Sequence, residues 1–345
     1  MELNNIIFSF LLLFLGYFLN KYLLQFFHRS KSNLLSDNDY KKPQAFHETL
    51  TYRLGGTIFF CLLFLSILYL FYSKNIYLPE YISFCSIFFL LGLLDDLKIK
   101  FLPKFRLFAM VGSLIVLVIL NELYIQKTGL EFLNYLLRID IFSLIFIILC
   151  FLFIINGSNL IDGFNGLLAI HALIIFIVLF AINFINENSE LSYILFYIIL
   201  STLTFLKFNF PKAQIFLGDG GAYLFGTLIA LSIIKTSILN PEISPFFFCI
   251  LLAYLFFEVF FSFFRKILVV RQSPLLPDRK HLHMNLYKIF LKKNKSKLNS
   301  NYLVSIYINS IYLLLIIPAV VFVQNGLFCR YYFFVLFAVY IYLYK

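Results

Sequence analysis

Charge is scarce in this chain: 13% of its 345 residues are Asp, Glu, Lys or Arg, against about a quarter in soluble domains. No hydrophilic stretch is long enough to fold as a soluble domain of its own. Cysteine is sparse too. Its five members, Cys61, Cys85, Cys150, Cys249 and Cys329, include no C-x-x-C pair, so neither a disulfide framework nor a zinc knuckle is expected. Tryptophan is absent while phenylalanine reaches 47; Asn, Lys, Ile and Tyr are abundant as well, and a general residue bias accounts for this better than an aromatic binding surface. No internal repeat is visible, which counts against a transporter built from inverted repeats.

What is present is oil. Hydrophobic residues make up 62% of the chain and mean hydropathy is +0.91. Apolar runs near the roughly 20 residues that cross a bilayer as helix recur throughout. The expected spans are 5–27, 57–73, 80–95, 105–123, 140–156, 167–184, 192–209, 219–237, 245–264, 303–323 and 326–344. The fold class is therefore an all-α integral membrane protein, a single polytopic domain over 1–345 with about eleven transmembrane helices, ten if one of the weaker segments does not cross. Unbroken apolar runs exclude a strand-type barrel, whose segments alternate. The first span is too long for a signal-peptide core and lacks a small-residue cleavage site, so it is expected to stay.

The +11 formal charge would suit nucleic acid, but its distribution points elsewhere. With eleven spans, the segments 28–56, 95–104, 157–166, 210–218, 265–302 and the C-terminus share one side. Counting span ends, that side holds 23 of the 28 Lys and Arg. Such a bias marks the cytoplasmic face, and the basic excess follows from topology and anionic lipid. Within 265–302, "HLHMNLYKIFL" is expected to form a short amphipathic helix on the headgroups.

The same face collects every unusual polar group, and the opposite face has no comparable constellation. Asp95 and Asp96 end an apolar run and repel each other unless a cation intervenes or one is protonated; a helix terminus meeting water is the plain alternative. Lys104 and Arg106 follow. In "NGSNLIDGFNGLL", Asn159, Asp162 and Asn165 are spaced i, i+3, i+6, within about a third of a helix circumference, which predicts one polar stripe facing inward. Gly157, Gly163 and Gly166 would admit a neighbouring helix or a ligand. In "FLGDGGAYLFG", the amides of Gly218, Gly220 and Gly221 offer an anion nest, with Asp219 left to hold a divalent cation; an ordinary N-cap is the alternative. His281 and His283, after Asp278 and Arg279, lack zinc spacing and suit a phosphate contact or a solvated surface. His47 stands near Arg53 and says little alone. Together these groups describe a cytoplasmic site with carboxylates for a metal, cations for phosphates and amides for hydrogen bonds, formed by the loops 28–56, 95–104, 157–166, 210–218 and 265–302.

The order of these motifs resembles a known family. H-x-x-x-x-x-R-L-G-G (47–56), the Asp pair, N-x-x-N-x-x-D-G-x-N-G-L (156–167), F-L-G-D-x-G (216–221) and D-R-x-H-x-H (278–283) are similar to the polyprenyl-phosphate N-acetylhexosamine-1-phosphate transferases. The resemblance implies transfer of a sugar-1-phosphate from a UDP-N-acetylhexosamine to undecaprenyl phosphate, with magnesium (or manganese in its place) and UMP as product. Carried over by motif, Asp95, Asp96 and Asp162 are the catalytic candidates, and Asp219 with Asn159 the metal candidates. Lys104, Arg106, Asn165, Arg279, His281, His283 and His47 are the substrate-binding candidates. The implied setting is the bacterial inner membrane with the site on its cytoplasmic face. The expected partners are the two substrates and membrane lipids, not nucleic acid, and a homodimer is left open as an assembly.

Two departures bear on the subfamily. Met284 stands where the peptidoglycan enzyme, the phospho-N-acetylmuramoyl-pentapeptide transferase, has a further His, and Asn165 where that enzyme has a second Asp. Both favour a transferase that initiates a surface polysaccharide of the O-antigen kind, with the pentapeptide transferase as the alternative. Two unrelated readings are a multispan transporter of a lipid phosphate or anion, which predicts polar groups on both faces, and a CDP-alcohol phosphatidyltransferase, whose D-G-x-x-A-R motif is missing from "DGFNGL".

Overall fold

Inside a bilayer every backbone N–H and C=O must find its partner within the protein, and a helix does this within one segment. The apolar runs of this chain are helices accordingly. The computed structural model describes residues 3–30, 35–37, 51–99, 102–271, 273, 280–294 and 296–344. The helices are α1 (Leu3–Ser30), α2 (Gly55–Lys74), α3 (Pro79–Asp96), α4 (Pro103–Leu120), α5 (Glu131–Leu136), α6 (Asp140–Ile161) and α7 (Leu167–Ile185). They continue as α8 (Ser189–Asn209), α9 (Gly218–Leu239), α10 (Pro245–Leu251), α11 (Ala253–Phe264), α12 (Leu282–Asn294), α13 (Lys297–Val321) and α14 (Gly326–Tyr344). Pro79, Pro103 and Pro245 open three of them, where the missing N–H costs nothing. A two-residue ladder pairs β1 (Ser36–Asp37) with β2 (Thr51–Tyr52) antiparallel.

The protein is a multi-pass membrane protein. Among the described residues nine helices are long and apolar enough to cross a membrane, or ten with α10 and α11 as one broken span. Each of the eleven expected spans has its helix. The exception to the count is α3, whose Glu80, Asp95 and Asp96 keep it out of the nine. It nevertheless runs antiparallel along α9: the Asp219 and Gly220 amides meet Asp96 at one end, Tyr81 Oη meets Ser232 Oγ at 3.0 Å, and Lys235 pairs with Glu80 at the other.

The central helix is α9, with 17 of its 22 residues buried; α1, with four of 28 buried, lies at the rim. Small residues let α9 be approached closely. A Cβ on Gly92 of α3 would sit 2.4 Å from the Asp219 carbonyl oxygen, so only glycine admits this contact. The expected ninth span is bent by 72° between α10 and α11, with no Pro or Gly at the break. The Tyr312 hydroxyl of α13 donates to the Leu251 carbonyl at 2.8 Å, satisfying a group that the interruption frees. The expected amphipathic helix is present as α12, which buries His283, Met284 and Tyr287.

Candidate active site

The site assembles where helix ends converge: the starts of α2, α4 and α9, the ends of α3 and α6, and the segment before α12. Its frame is backbone pairing between two loops. Phe216 N–H donates to Tyr52 O at 2.9 Å, Gly55 N–H to Phe216 O at 2.9 Å, and Gly56 N–H to Leu217 O at 2.8 Å. In this extended stretch Tyr52 is buried at 1% exposure, and its neighbour Arg53 faces the other way, as alternation requires.

Arg53 is the hub. Its guanidinium reaches Asp37 Oδ2 at 2.9 Å, Asp96 Oδ1 at 3.1 Å and Asp219 Oδ2 at 3.7 Å. Burial works against its charge, but Asp219, Asp37 and Asp96 outweigh it, so Arg53 is held more firmly protonated than a free arginine. Asp96 is 3% exposed. Besides Arg53 it accepts the Asp219 N–H at 3.0 Å and the Gly220 N–H at 2.9 Å. The amide nest expected at the start of α9 therefore exists, and a carboxylate of the protein itself fills it. Gly218 has φ +80, and a Cβ there would lie 2.6 Å from Asp96 Oδ2; the motif needs glycine on both counts.

Asp95 faces elsewhere, because successive helical residues are about 100° apart. Arg106 Nη1 of α4 donates to its Oδ2 at 2.5 Å, and the same guanidinium lies 5.9 Å from the Tyr223 ring centroid on α9. Lys104 is exposed on the first turn of α4, so of the two candidate cations Lys104 and Arg106 it is Arg106 that is drawn in. Asp219, its side chain 32% exposed, is the most open of the carboxylates paired here.

Asn159, Asp162 and Asn165 do not form the expected stripe. Helix α6 stops at Ile161 with Asp162 as its C-cap, and Gly166 at φ +75 starts α7, so a turn separates Asn165 from the other two. Asn159 stays on the last turn of α6. Burial first, then the charge of Asp219, pushes Asp162 up to about 8, against the pull of Arg53. Asn165 is a tie: its N–H donates to Asn301 Oδ1 at 2.8 Å and its amide to the Pro211 carbonyl at 2.9 Å. Of the three glycines, Gly157 packs on Leu255 of α11, while Gly163 has open space around it among the described residues.

His281 and His283 are buried, not solvated, at 1% and 0% exposure. Their rings lie parallel with centroids 5.2 Å apart. His281 Nδ1 bonds Glu258 Oε2 at 2.8 Å and His283 Nδ1 bonds Tyr254 Oη at 3.0 Å. Burial, against the pull of Glu258 and helped by His281, brings His283 down to about 4. Phe164 stands edge-on to His283 at 5.6 Å, joining this pair to the turn after Asp162. His47, Asp278 and Arg279 lie outside the described residues.

Sequence reasoning passed over Arg53, Asp37, Glu258 and Tyr254. A signal existed for Glu258, a lone acid in an apolar run, which in a membrane protein is a site candidate by default. Arg53 stood in a quoted motif but was read only as a neighbour of His47.

No three His, Cys, Asp or Glu side chains among the described residues are grouped to hold a metal by themselves. Magnesium does not require this, since it keeps several waters and binds through one or two carboxylates plus substrate phosphates. The charges also fit a divalent cation. Four carboxylates, Asp37, Asp95, Asp96 and Asp219, face two guanidiniums, Arg53 and Arg106, an excess of negative charge that would repel a diphosphate.

Residues 78–237, which carry Asp95, Asp96, Asp162 and Asp219, match the profile of Glycosyl transferase family 4. The chain is similar to an undecaprenyl-phosphate alpha-N-acetylglucosaminyl 1-phosphate transferase of Thermotoga maritima, 31% identical over 56% of this chain and 57% of that protein. It is similar to a phospho-N-acetylmuramoyl-pentapeptide-transferase of Dictyoglomus turgidum, 33% identical over 70% of this chain and 76% of that protein. A probable undecaprenyl-phosphate N-acetylglucosaminyl 1-phosphate transferase of Bacillus subtilis is 28% identical over 75% of this chain and 72% of its own length. Identity at this level over three quarters of a relative, together with a family profile that spans the acidic motifs, means that the chain belongs to the glycosyl-1-phosphate transferases of the polyprenyl-phosphate N-acetylhexosamine-1-phosphate transferase family.

Proposed function

We propose that this protein transfers an N-acetylhexosamine-1-phosphate from a UDP-sugar to undecaprenyl phosphate, giving undecaprenyl-diphospho-sugar and UMP. The observation that carries the reading is the gathering of Asp95, Asp96, Asp219, Arg53 and Arg106 at one end of the helix bundle, a layout that suits phosphates arriving from water and from lipid. The Lys and Arg bias supports the cytoplasmic face of a bacterial inner membrane as that end.

Phosphoryl transfer asks a protein mainly for positioning and for neutralising charge. A phosphate nucleophile is already ionised near neutrality, so no strong base is needed. Arg106, beside Asp95 at the mouth of α4, is suited to the lipid phosphate. Arg53 holds Asp219 and Asp96 in place. Asp219 would hold magnesium, with Asn159 and Asp162 on the facing end of α6. Bound there, the ion would neutralise the diphosphate oxygens and polarise the phosphorus under attack.

The test is UMP release by purified protein in detergent with UDP-N-acetylglucosamine, undecaprenyl phosphate and magnesium. Release should need all three, and Asp219→Asn should abolish most of it with normal membrane insertion. Turnover of that variant at the wild-type rate would remove the metal role of Asp219. The pentapeptide substrate is the second reading, supported by the Dictyoglomus relative. Against it, Met284 is buried at 3% exposure in packing contacts, where the resemblance puts a further imidazole. Presenting both UDP-sugars side by side decides between them.

A further inference from the structure

Glu258 is an acid without a task in the reading above. It lies in the apolar α11 at 1% exposure, and an ionised carboxylate there must be well partnered. Each of its oxygens has a donor: Oε2 takes His281 Nδ1 at 2.8 Å, and Oε1 takes the Leu282 N–H at 3.1 Å. A carboxylate accepts only, so Nδ1 of His281 must carry a proton. In the neutral ring the lone pair then sits on Nε2, across the ring from Glu258. Among the described residues that Nε2 is buried without a hydrogen-bond partner, and so is the Nε2 of the parallel His283. Burial leaves such an atom without water to pair with, at a cost to the fold. Two side by side, next to the turn that follows Asp162, point to a ligand group.

We infer that Glu258 is a positioning residue: it fixes His281 as the Nδ1–H tautomer and so presents Nε2 as an acceptor to an O–H or N–H of the donor sugar nucleotide. This rests on the function proposed above. The surroundings contain the groups needed to hold it. Tyr254 of α11 bonds His283, Tyr340 of α14 and Arg265 at the end of α11 both feel the Glu258 charge, and His283 stands 3.8 Å from Oε1. The carboxylate is specific for the task. A Gln at this position has one acceptor oxygen for two N–H donors, so its NH2 must face either the Leu282 N–H or His281 Nδ1. In the second case the ring has to move its proton to Nε2.

The experiment combines histidine-labelled nitrogen NMR in detergent, assigned by difference against His281→Asn, with steady-state UMP release. Wild type should show a protonated Nδ1 and a bare Nε2 on His281. Glu258→Gln should move part of the population to Nε2–H and lower kcat/KM for the UDP-sugar on the order of 100-fold, assayed well below a thermal midpoint that falls because a buried charge-assisted bond is lost. Glu258→Asp should recover part of both, and it serves as the test variant if the Gln form does not fold. A wild-type His281 protonated at Nε2, or a Gln variant with unchanged tautomer and turnover, overturns the inference. So does a Gln variant that loses only its midpoint. A wild type that releases no UMP from any UDP-sugar sinks the parent function instead, and the tautomer signal still decides the hold of Glu258.

Discussion

Replacing Asp96 by Asn tests whether this residue builds the site or works in it. Its carboxylate accepts three donors: Arg53 Nη1 at 3.1 Å and the amides of Asp219 and Gly220 at 3.0 and 2.9 Å. Its side chain is 2% exposed, so water cannot step in for a lost partner. Asn keeps one acceptor oxygen, and its NH2 must face a backbone N–H or the guanidinium. One charge-assisted bond worth about 1.5–3 kcal/mol goes, and one buried donor is stranded at about 1–3 kcal/mol. The expected loss is about 3–5 kcal/mol, the range found when one partner leaves a buried ion pair. In a chain of this length that lowers a detergent thermal midpoint on the order of 5–10 °C. Asp219→Asn should differ in kind, since that side chain is 32% exposed: activity lost, midpoint moved by a degree or two. Thermal scans of both variants, beside UMP release, give the comparison. A midpoint for Asp96→Asn equal to wild type would refute the assignment of Asp96 to the frame.

Three more outcomes follow from the same geometry. Gly92→Ala puts a methyl 2.4 Å from the Asp219 carbonyl oxygen; it should force α3 off α9 and abolish turnover with a lowered midpoint, whereas Gly112→Ala, with nothing within 4 Å, should leave both unchanged. Arg106→Lys keeps the charge but loses the planar fork, and should raise KM for undecaprenyl phosphate about ten-fold while KM for the UDP-sugar stays, as separate substrate titrations would show. His283, held at about 4 by burial, binds its proton later than an unfolded imidazole near 6.5. The fold should therefore lose up to about 3 kcal/mol as pH falls from 6.5 to 4, and His283→Gln should flatten that part of a midpoint-against-pH curve.

The spans were legible because unbroken apolar runs are a direct signal, and all eleven expected segments are helices. The bend near Leu252 was not, because neither Pro nor Gly marks it and the group that satisfies the freed Leu251 carbonyl, the hydroxyl of Tyr312, sits on α13. The i, i+3, i+6 spacing of Asn159, Asp162 and Asn165 misled for a related reason. Periodicity assumes one helix, and the glycines at 163 and 166 that close α6 and open α7 carry, in sequence, only the sense of room for a neighbouring helix or a ligand. The amide nest at 218–221 was legible as a nest but not its occupant, since Asp96 is 123 residues away from Asp219 in sequence. Arg53 and Glu258 gain their meaning only from partners on other elements.

Asp95 and Asp96 pose the sharpest version of that problem. As neighbours of one charge they should resist ionising together, and sequence offers two escapes: a shared cation or a shared proton. The structure shows a further arrangement. A 100° step along α3 turns one carboxylate to Arg106 and the other to Arg53 and the amides of α9, so each has its own positive partner. The consequence reaches Asp219. With its own N–H and that of Gly220 given to Asp96, the start of α9 is held at one angle to α3, and the Asp219 side chain is left as the open carboxylate at the rim. The proposed reaction, which brings a diphosphate from water and a phosphate from lipid to one site, fits such a division: one aspartate braces two helices and the others are left for turnover. The rigid member is therefore expected in the buried half of the pair and the working members at its exposed edge, Asp95 toward α4 and Asp219 toward the cleft.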